Sequence, residues 1–324
     1  MATSTALIAA QWTISQIPSM EGKVVLVTGA NSGIGYNTTL ELARKNATVA
    51  MACRSQVRAE NAMKTIREAV PGARLDFVEL DLSSFDSVRA CAKAFKSKYD
   101  RLDVLVNNAG LMYPGQTHTK DGFETQFAVN HLGHFYLTQL LFDMLKKTEG
   151  LARVVNVSSV GHRMASIDFK TILTSKRNKW WYFNEYNVSK VSNLLFTYEM
   201  NRRIRAAGLE GSILSVAAHP GVAATELSPK AVVGFFPNFL QGPIIKILGF
   251  LPVFQSSELG AIPILFAATA ESVQGGDYYG PNGFSNFRGT APTKETSSKL
   301  SYSEEHAATL WVLSEDVTNC KFSI

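Results

Sequence analysis

Lys23-Val24-Val25-Leu26-Val27-Thr28-Gly29-Ala30-Asn31-Ser32-Gly33-Ile34-Gly35 decides the fold of this 324-residue chain. Consecutive aliphatic residues before Thr28 read as a strand buried on both faces. The glycines after it permit a tight turn, and helical spacing then runs to Asn46, so the segment reads strand, turn, helix. Free N–H groups at such a helix start favour a diphosphate. Gly29, Asn31, Ser32, Gly33, Ile34 and Gly35 are therefore the expected cradle for a nucleotide cofactor. Their Gly-x-x-x-Gly-x-Gly spacing differs from the Gly-x-Gly-x-x-Gly of many dehydrogenases.

Working outward, short β-branched runs at 23–28, 48–53, 75–80, 102–106, 153–157 and 212–217 alternate with helical spacing at 55–70, 84–98, 122–147 and 184–207. Such alternation builds a parallel sheet covered by helices. The expected fold is a single-domain, Rossmann-like α/β domain, a doubly wound parallel sheet with helices on both faces. It occupies 22–289, after an N-terminal surface segment at 1–21 and before a polar C-terminal extension at 290–324 with a surface helix at 304–313. No internal repeat or low-complexity block interrupts it.

Composition narrows the function. An apolar fraction of 46% suffices for one large core, and the net charge of +5 comes from scattered Lys and Arg, which argues against a nucleic-acid partner. Cys53, Cys91 and Cys320 form neither a disulfide framework nor a metal spacing, so a reducing, cytoplasmic setting is expected. His131 and His134 lack a nearby Cys or carboxylate to complete a metal site, and no metal is expected. The longest apolar stretch, 231–254, is broken by Pro237, Gln241, Pro243, Lys246 and Pro252, so no transmembrane segment is expected, although a peripheral membrane contact stays open.

Where the second strand ends, an acidic residue would bind both ribose hydroxyls of NAD, but this chain has Cys53-Arg54. Arg54 suits a 2′-phosphate, with Arg58 one turn later, which favours NADP(H). Asp81-Leu82, after the third strand, is placed beside the adenine, with a helix-capping role for Asp81 as the alternative. Asn107-Asn108-Ala109-Gly110, after the fourth, puts Asn108, Ala109 and Gly110 at the carboxyl edge of the sheet, against the ribose or simply in a turn.

The fifth strand runs into Ser158-Ser159, and Tyr186-Asn187-Val188-Ser189-Lys190 opens a helix. Tyr186 and Lys190 share one helix face. Reducing a carbonyl builds charge on oxygen and needs a positioned acid. A tyrosine of ordinary pKa ~10 requires a neighbouring cation to work near neutrality, which Lys190 can supply while Ser159 donates to the substrate oxygen.

Taken in order, the 28–35 turn, Asn107–Gly110 run, Asn130, Ser159, Tyr186 and Lys190 resemble the short-chain dehydrogenase/reductase family across about 22–289. The resemblance implies catalytic roles for Asn130, Ser159, Tyr186 and Lys190. It makes Ser158 structural and has the Asn130 carbonyl hold a water that links Lys190 to solvent. It further implies that Pro220, Gly221, Val222 and Thr225 meet the nicotinamide, and that an apolar lid at about 226–256 covers a small hydrophobic substrate. Asn130-His131-Leu132-Gly133-His134-Phe135, Ser192-Asn193-Leu194-Leu195-Phe196 and Tyr278-Tyr279-Gly280-Pro281 resemble the branch of retinol dehydrogenases and protochlorophyllide reductases.

The expected protein is thus an NADP(H)-dependent oxidoreductase for a lipophilic alcohol or carbonyl, assembled as a homo-oligomeric dimer or tetramer. A carbon–carbon double-bond reductase and a catalytically silent NADP(H) sensor are the alternatives. His162 and His219 are candidates to line the pocket or to pack. The aromatic run 180–183 reads as a loop for substrate or lipid contact, or as a buried plug.

Overall fold

In the computed structural model of the chain, residues 12–112, 114–174, 179–222, 255–283 and 286–324 are described, without the side chains of 179–182. The strands are β1 (Val24–Thr28), β2 (Thr48–Cys53), β3 (Arg74–Glu79), β4 (Val104–Asn107), β5 (Ala152–Val157), β6 (Ile213–Ala218), β7 (Tyr278–Pro281) and β8 (Pro292–Lys294). They form one sheet in the order β3-β2-β1-β4-β5-β6-β7-β8. All pairings are parallel except β7 with β8. The strand order reverses between β1 and β4, and ligands of open α/β sheets bind in the crevice at that switch.

Helices α1 (Gly33–Arg44), α2 (Gln56–Ala69), α3 (Phe85–Lys98), α4 (Gly133–Lys147), α5 (Lys179–Ala206), α6 (Ser257–Thr269) and α7 (Glu304–Thr318) cover the sheet. The pleat divides the continuous apolar run of β1 between two cores. Val24 and Leu26 join Phe95, Leu141, Leu195 and Leu310 on one face, while Val25 and Val27 join Leu42, Ile66 and Phe266 on the other. That double burial is why the run shows no polar alternation.

Three features depart from the sequence expectation. Among the described residues eight strands form rather than six; β7 and β8 leave no strand pattern in the sequence because they are short and carry Pro281 and Pro292. Helix α5 begins at Lys179, so 180–183 belongs to its first turns and is not a loop. Helix α7 runs on to Thr318, longer than expected, and while its outer face is exposed its inner face is anchored in the core by the buried Leu310 and Trp311. Trp311 meets Phe135 edge-on at 5.2 Å, stacks on Phe322 at 4.9 Å and carries the Arg203 guanidinium 4.3 Å over its ring.

The segment after 290 is consequently part of the fold: it supplies β8 to the sheet and α7 to the face of α4 and α5. Leu141, Leu145, Leu194 and Phe196 are buried within the protomer. Trp12 of the N-terminal segment is also buried, edge-on to Phe266 at 5.3 Å. Among the described residues, no helix is long and apolar enough to cross a membrane.

Candidate active site

The glycine turn is shaped for close approach. Gly29 and Gly33 take φ of +66° and +56°, a region that disfavours side chains. A Cβ at Gly35 would collide with the Gly29 carbonyl and stand 2.6 Å from Asn108 Nδ2. Helices α2, α3, α6 and α7 are capped by the side chains of Ser55, Ser84, Ser256 and Ser303. The Ser32 side chain caps nothing at α1, and the first turn there has no acidic residue. Among the described residues, the leading N–H groups of α1 therefore have no side-chain competitor for an anion, and the turn fits a dinucleotide diphosphate.

Around this turn, the backbone N–H groups of Asn108 and Ala109 both donate to Thr28 Oγ1 at 2.9 Å, and Asn108 Nδ2 donates to the Thr28 carbonyl at 2.8 Å. At the end of β2, Arg54 and Arg58 are exposed, and among the described residues neither guanidinium pairs with a carboxylate. Burial pushes the Cys53 thiol up to about 11. Asp81 accepts from the Ser83 N–H at 2.9 Å and the Ser83 hydroxyl at 2.6 Å, while Ser84 is the cap of α3. Leu82 is buried against Gly133, where a Cβ would stand 2.8 Å from the Leu82 carbonyl oxygen.

Ser159 sits just past β5, where its Oγ accepts the Gly161 N–H at 3.2 Å and shares a hydrogen bond with the Tyr186 phenol. The Ser158 hydroxyl donates to the Lys190 carbonyl at 2.8 Å, a packing role. Lys190 Nζ lies 5.6 Å from the centre of the Tyr186 ring and donates to the Val157 carbonyl at 3.3 Å. Desolvation lowers the Lys190 ammonium to about 8. The sequence led us to expect Tyr186 to be lowered by Lys190. Instead desolvation raises the phenol, opposed by the Ser159 hydrogen bond.

Asn130 lies in a π turn, Ala128–Leu132, and is fully buried. Its Nδ2 donates to the Leu111 carbonyl at 2.9 Å and to Ser189 Oγ at 3.0 Å, while its Oδ1 accepts the Leu111 N–H at 2.8 Å. Its backbone carbonyl, expected to hold a water, faces His134 Nδ1 at 3.1 Å. A Cβ on Gly110 would stand 3.3 Å from both Asn130 Oδ1 and Lys190 Nζ, so glycine lets the loop pass between them. The fold thus gathers Asn130, Ser159, Tyr186 and Lys190 into one cluster, which the 108–110 loop links to the glycine turn.

The loop after β6 carries Pro220, Gly221 and Val222; Thr225 and most of the expected lid lie outside the described residues. Gly221 takes φ +66°, and its N–H donates to His219 Nδ1 at 3.1 Å. That acceptor role leaves the ring proton on Nε2, which meets Glu295 at 2.6 Å. Arg163 reaches the same carboxylate at 3.1 Å. Gln255 donates to the Pro220 carbonyl, and its own N–H reaches the Val222 carbonyl at 3.0 Å. His162 Nδ1 lies 2.6 Å from the Ser159 carbonyl, and its Nε2 accepts the Ser298 N–H at 3.2 Å. His162 and His219 therefore brace the two loops and are buried.

Sequence reasoning missed Glu295 and Gln255. The one hint was Gly280, where any side chain would collide with the His219–Glu295 pair. Glu124 is a further buried carboxylate: it accepts the Gln126 N–H at 2.9 Å and the Phe127 N–H at 2.6 Å, and desolvation raises it to about 7. Among the described residues, no group of three metal-ligating side chains occurs.

Comparison with known proteins agrees with this geometry. A family model described as short chain dehydrogenase matches residues 23–232. Retinol dehydrogenase 13 of Mus musculus is 38% identical over 297 residues, 90% of this chain and 83% of that protein. Retinol dehydrogenase 12 of Mus musculus is 40% identical over 259 residues, 80% of this chain and 76% of that protein. A crystal structure of an uncharacterized protein from Mycobacterium paratuberculosis superposes with a TM-score of 0.76 at 34% identity, covering 97% of this chain and 99% of that one.

Proposed function

The chain belongs to the short-chain dehydrogenase/reductase family, in the branch of the retinol dehydrogenases, and from that premise we propose an NADP(H)-dependent enzyme that interconverts a lipophilic alcohol with its aldehyde or ketone. One observation carries the reading: Ser159, Tyr186 and Lys190 converge at one end of a 108–110 loop whose other end packs on the glycine turn, where the start of α1 has no side-chain cap. The bound nicotinamide supplies or takes up the hydride.

Ser159 donates to the substrate oxygen, and Tyr186 exchanges the proton with it. Desolvation keeps the phenol protonated, the form that serves as acid in reduction. The Lys190 ammonium stabilises the phenolate that remains, and Asn130 joins the relay to solvent. Gly29, Asn31, Ser32, Gly33, Ile34 and Gly35 hold the diphosphate. Arg54, aided by Arg58, holds the 2′-phosphate. Asp81 and Leu82 flank the adenine, Asn108, Ala109 and Gly110 the ribose, and Pro220, Gly221, Val222 and Thr225 the nicotinamide. The lipophilic substrate class is supported by the apolar content of 226–256 and by the retinol named in the relatives.

The test is oxidation of NADPH against NADH with long-chain aldehydes, retinal and polar sugars as substrates. NADPH-dependent reduction of an apolar aldehyde is expected. Arg54→Ala should weaken NADPH roughly tenfold to a hundredfold, the size of one charge-assisted hydrogen bond, and leave NADH unchanged. A preference for NADH would overturn the Arg54 assignment, and tight NADPH binding without turnover of any substrate would favour the silent sensor.

A further inference from the structure

His134 is buried at the first turn of α4, and nothing in the proposed chemistry uses it. Its two ring nitrogens nonetheless have defined partners. Nε2 lies 2.9 Å from Thr28 Oγ1, and Nδ1 lies 3.1 Å from the Asn130 carbonyl.

The proton inventory fixes the roles. Thr28 Oγ1 already accepts the N–H groups of Asn108 and Ala109, which fill its two lone pairs. A donating Nε2 would be a third donor to that oxygen, so Nε2 accepts and the Thr28 hydroxyl donates to it. The other candidate for that hydroxyl proton, the Val106 carbonyl, is more distant at 3.4 Å. At the opposite edge, a backbone carbonyl can only accept, so Nδ1 carries the ring proton. Both ends demand the same neutral tautomer. Desolvation reinforces it by pushing ring protonation down to about 3.

This ring bridges two halves of the site directly, beside the 108–111 segment that bonds to Thr28 at one end and to the Asn130 side chain at the other. On one side stand Thr28, directly before Gly29 of the cofactor turn, and the Asn108–Ala109 backbone. On the other, Asn130 Nδ2 donates to Ser189 Oγ at 3.0 Å, and that hydroxyl donates to the Tyr186 carbonyl at 2.7 Å. We propose that His134 is a positioning residue that sets the register between the cofactor turn and the Asn130–Ser189–Tyr186 side. The proposal rests on the dehydrogenase reading above, with Thr28 serving the cofactor end and Asn130 the proton end.

Three variants separate the two halves. His134→Phe keeps a ring and loses both bonds. His134→Asn places an amide N–H near the Nδ1 position and can still donate to the Asn130 carbonyl. His134→Gln places an amide oxygen near the Nε2 position and can still accept from Thr28. NADPH affinity is measured by fluorescence titration and turnover at saturating NADPH with the best aldehyde of the panel.

His134→Phe should lose about tenfold in each, the size of one buried hydrogen bond. His134→Asn should recover turnover and not affinity, and His134→Gln affinity and not turnover. Equal losses in all three variants, or none in His134→Phe, would overturn the proposal. Nitrogen NMR of the unaltered protein, labelled at histidine, should show Nδ1 protonated and Nε2 bare. The reverse tautomer overturns the proposal even if the variants fold poorly. The NMR and affinity measurements need no turnover, so a failed substrate panel counts against the dehydrogenase reading and not against this one.

Discussion

Removing the Glu295 carboxylate tests how the loop after β6 is held. The side chain is 2% exposed, accepts from the fully buried His219 at 2.6 Å and meets an Arg163 that is 51% exposed at 3.1 Å. In Glu295→Ala, Arg163 turns to water at a cost of well under 1 kcal/mol. His219 cannot turn, because Nδ1 must keep accepting the Gly221 N–H, so its Nε2 proton is left buried without a partner. An orphaned buried donor costs about 1–3 kcal/mol. The sum is about 1–4 kcal/mol, or a melting temperature lower by about 2–6 °C in a chain of this size. Glu295→Gln keeps an acceptor for His219 and should cost under about 1 kcal/mol. The assay is thermal unfolding followed by circular dichroism, without cofactor. Equal losses for Ala and Gln would show that the charge matters and the acceptor does not, which would refute the reasoning.

Two further outcomes concern stability. Trp311→Ala should cost about 3–5 kcal/mol in urea unfolding, the usual range for deleting a buried aromatic, because Phe135, Phe196 and Phe322 all lose their partner; a loss below about 1 kcal/mol would mean that α7 is not part of the core. Glu124 is raised from 4.5 to about 7 in the fold. A raised folded value means that its stabilising contribution is complete below pH 4.5 and lost as pH rises through 7. The urea midpoint should therefore decline across that window, and the decline should shrink in Glu124→Gln.

The legible parts of the fold were the local ones. β1 announces itself because both its faces are buried, and the 29–35 turn because Gly29 and Gly33 need positive φ. Tyr186 and Lys190 declare a shared helix face by their spacing alone. What the sequence hides is distant in the chain. Glu295 finds His219 across 76 positions, and Ser314 finds His131 across 183. No periodicity reports such pairs. β8 is three residues long and starts with proline, so it carries no strand pattern. The polar look of the last residues misleads about α7, whose buried face is narrow. The rise in the Tyr186 phenol was equally invisible, since desolvation depends on packing around the site.

The central claim is that Tyr186 exchanges the proton at a site built for NADP(H). Single-turnover reduction of the preferred aldehyde by Tyr186→Phe, with NADPH binding measured in parallel, tests it most directly. The account predicts NADPH affinity within about threefold of the unaltered protein, because the diphosphate turn is untouched. It predicts a chemical step slowed roughly 100- to 10,000-fold, the usual worth of a positioned general acid. A Tyr186→Phe protein that reduces the aldehyde at the unaltered rate would contradict it.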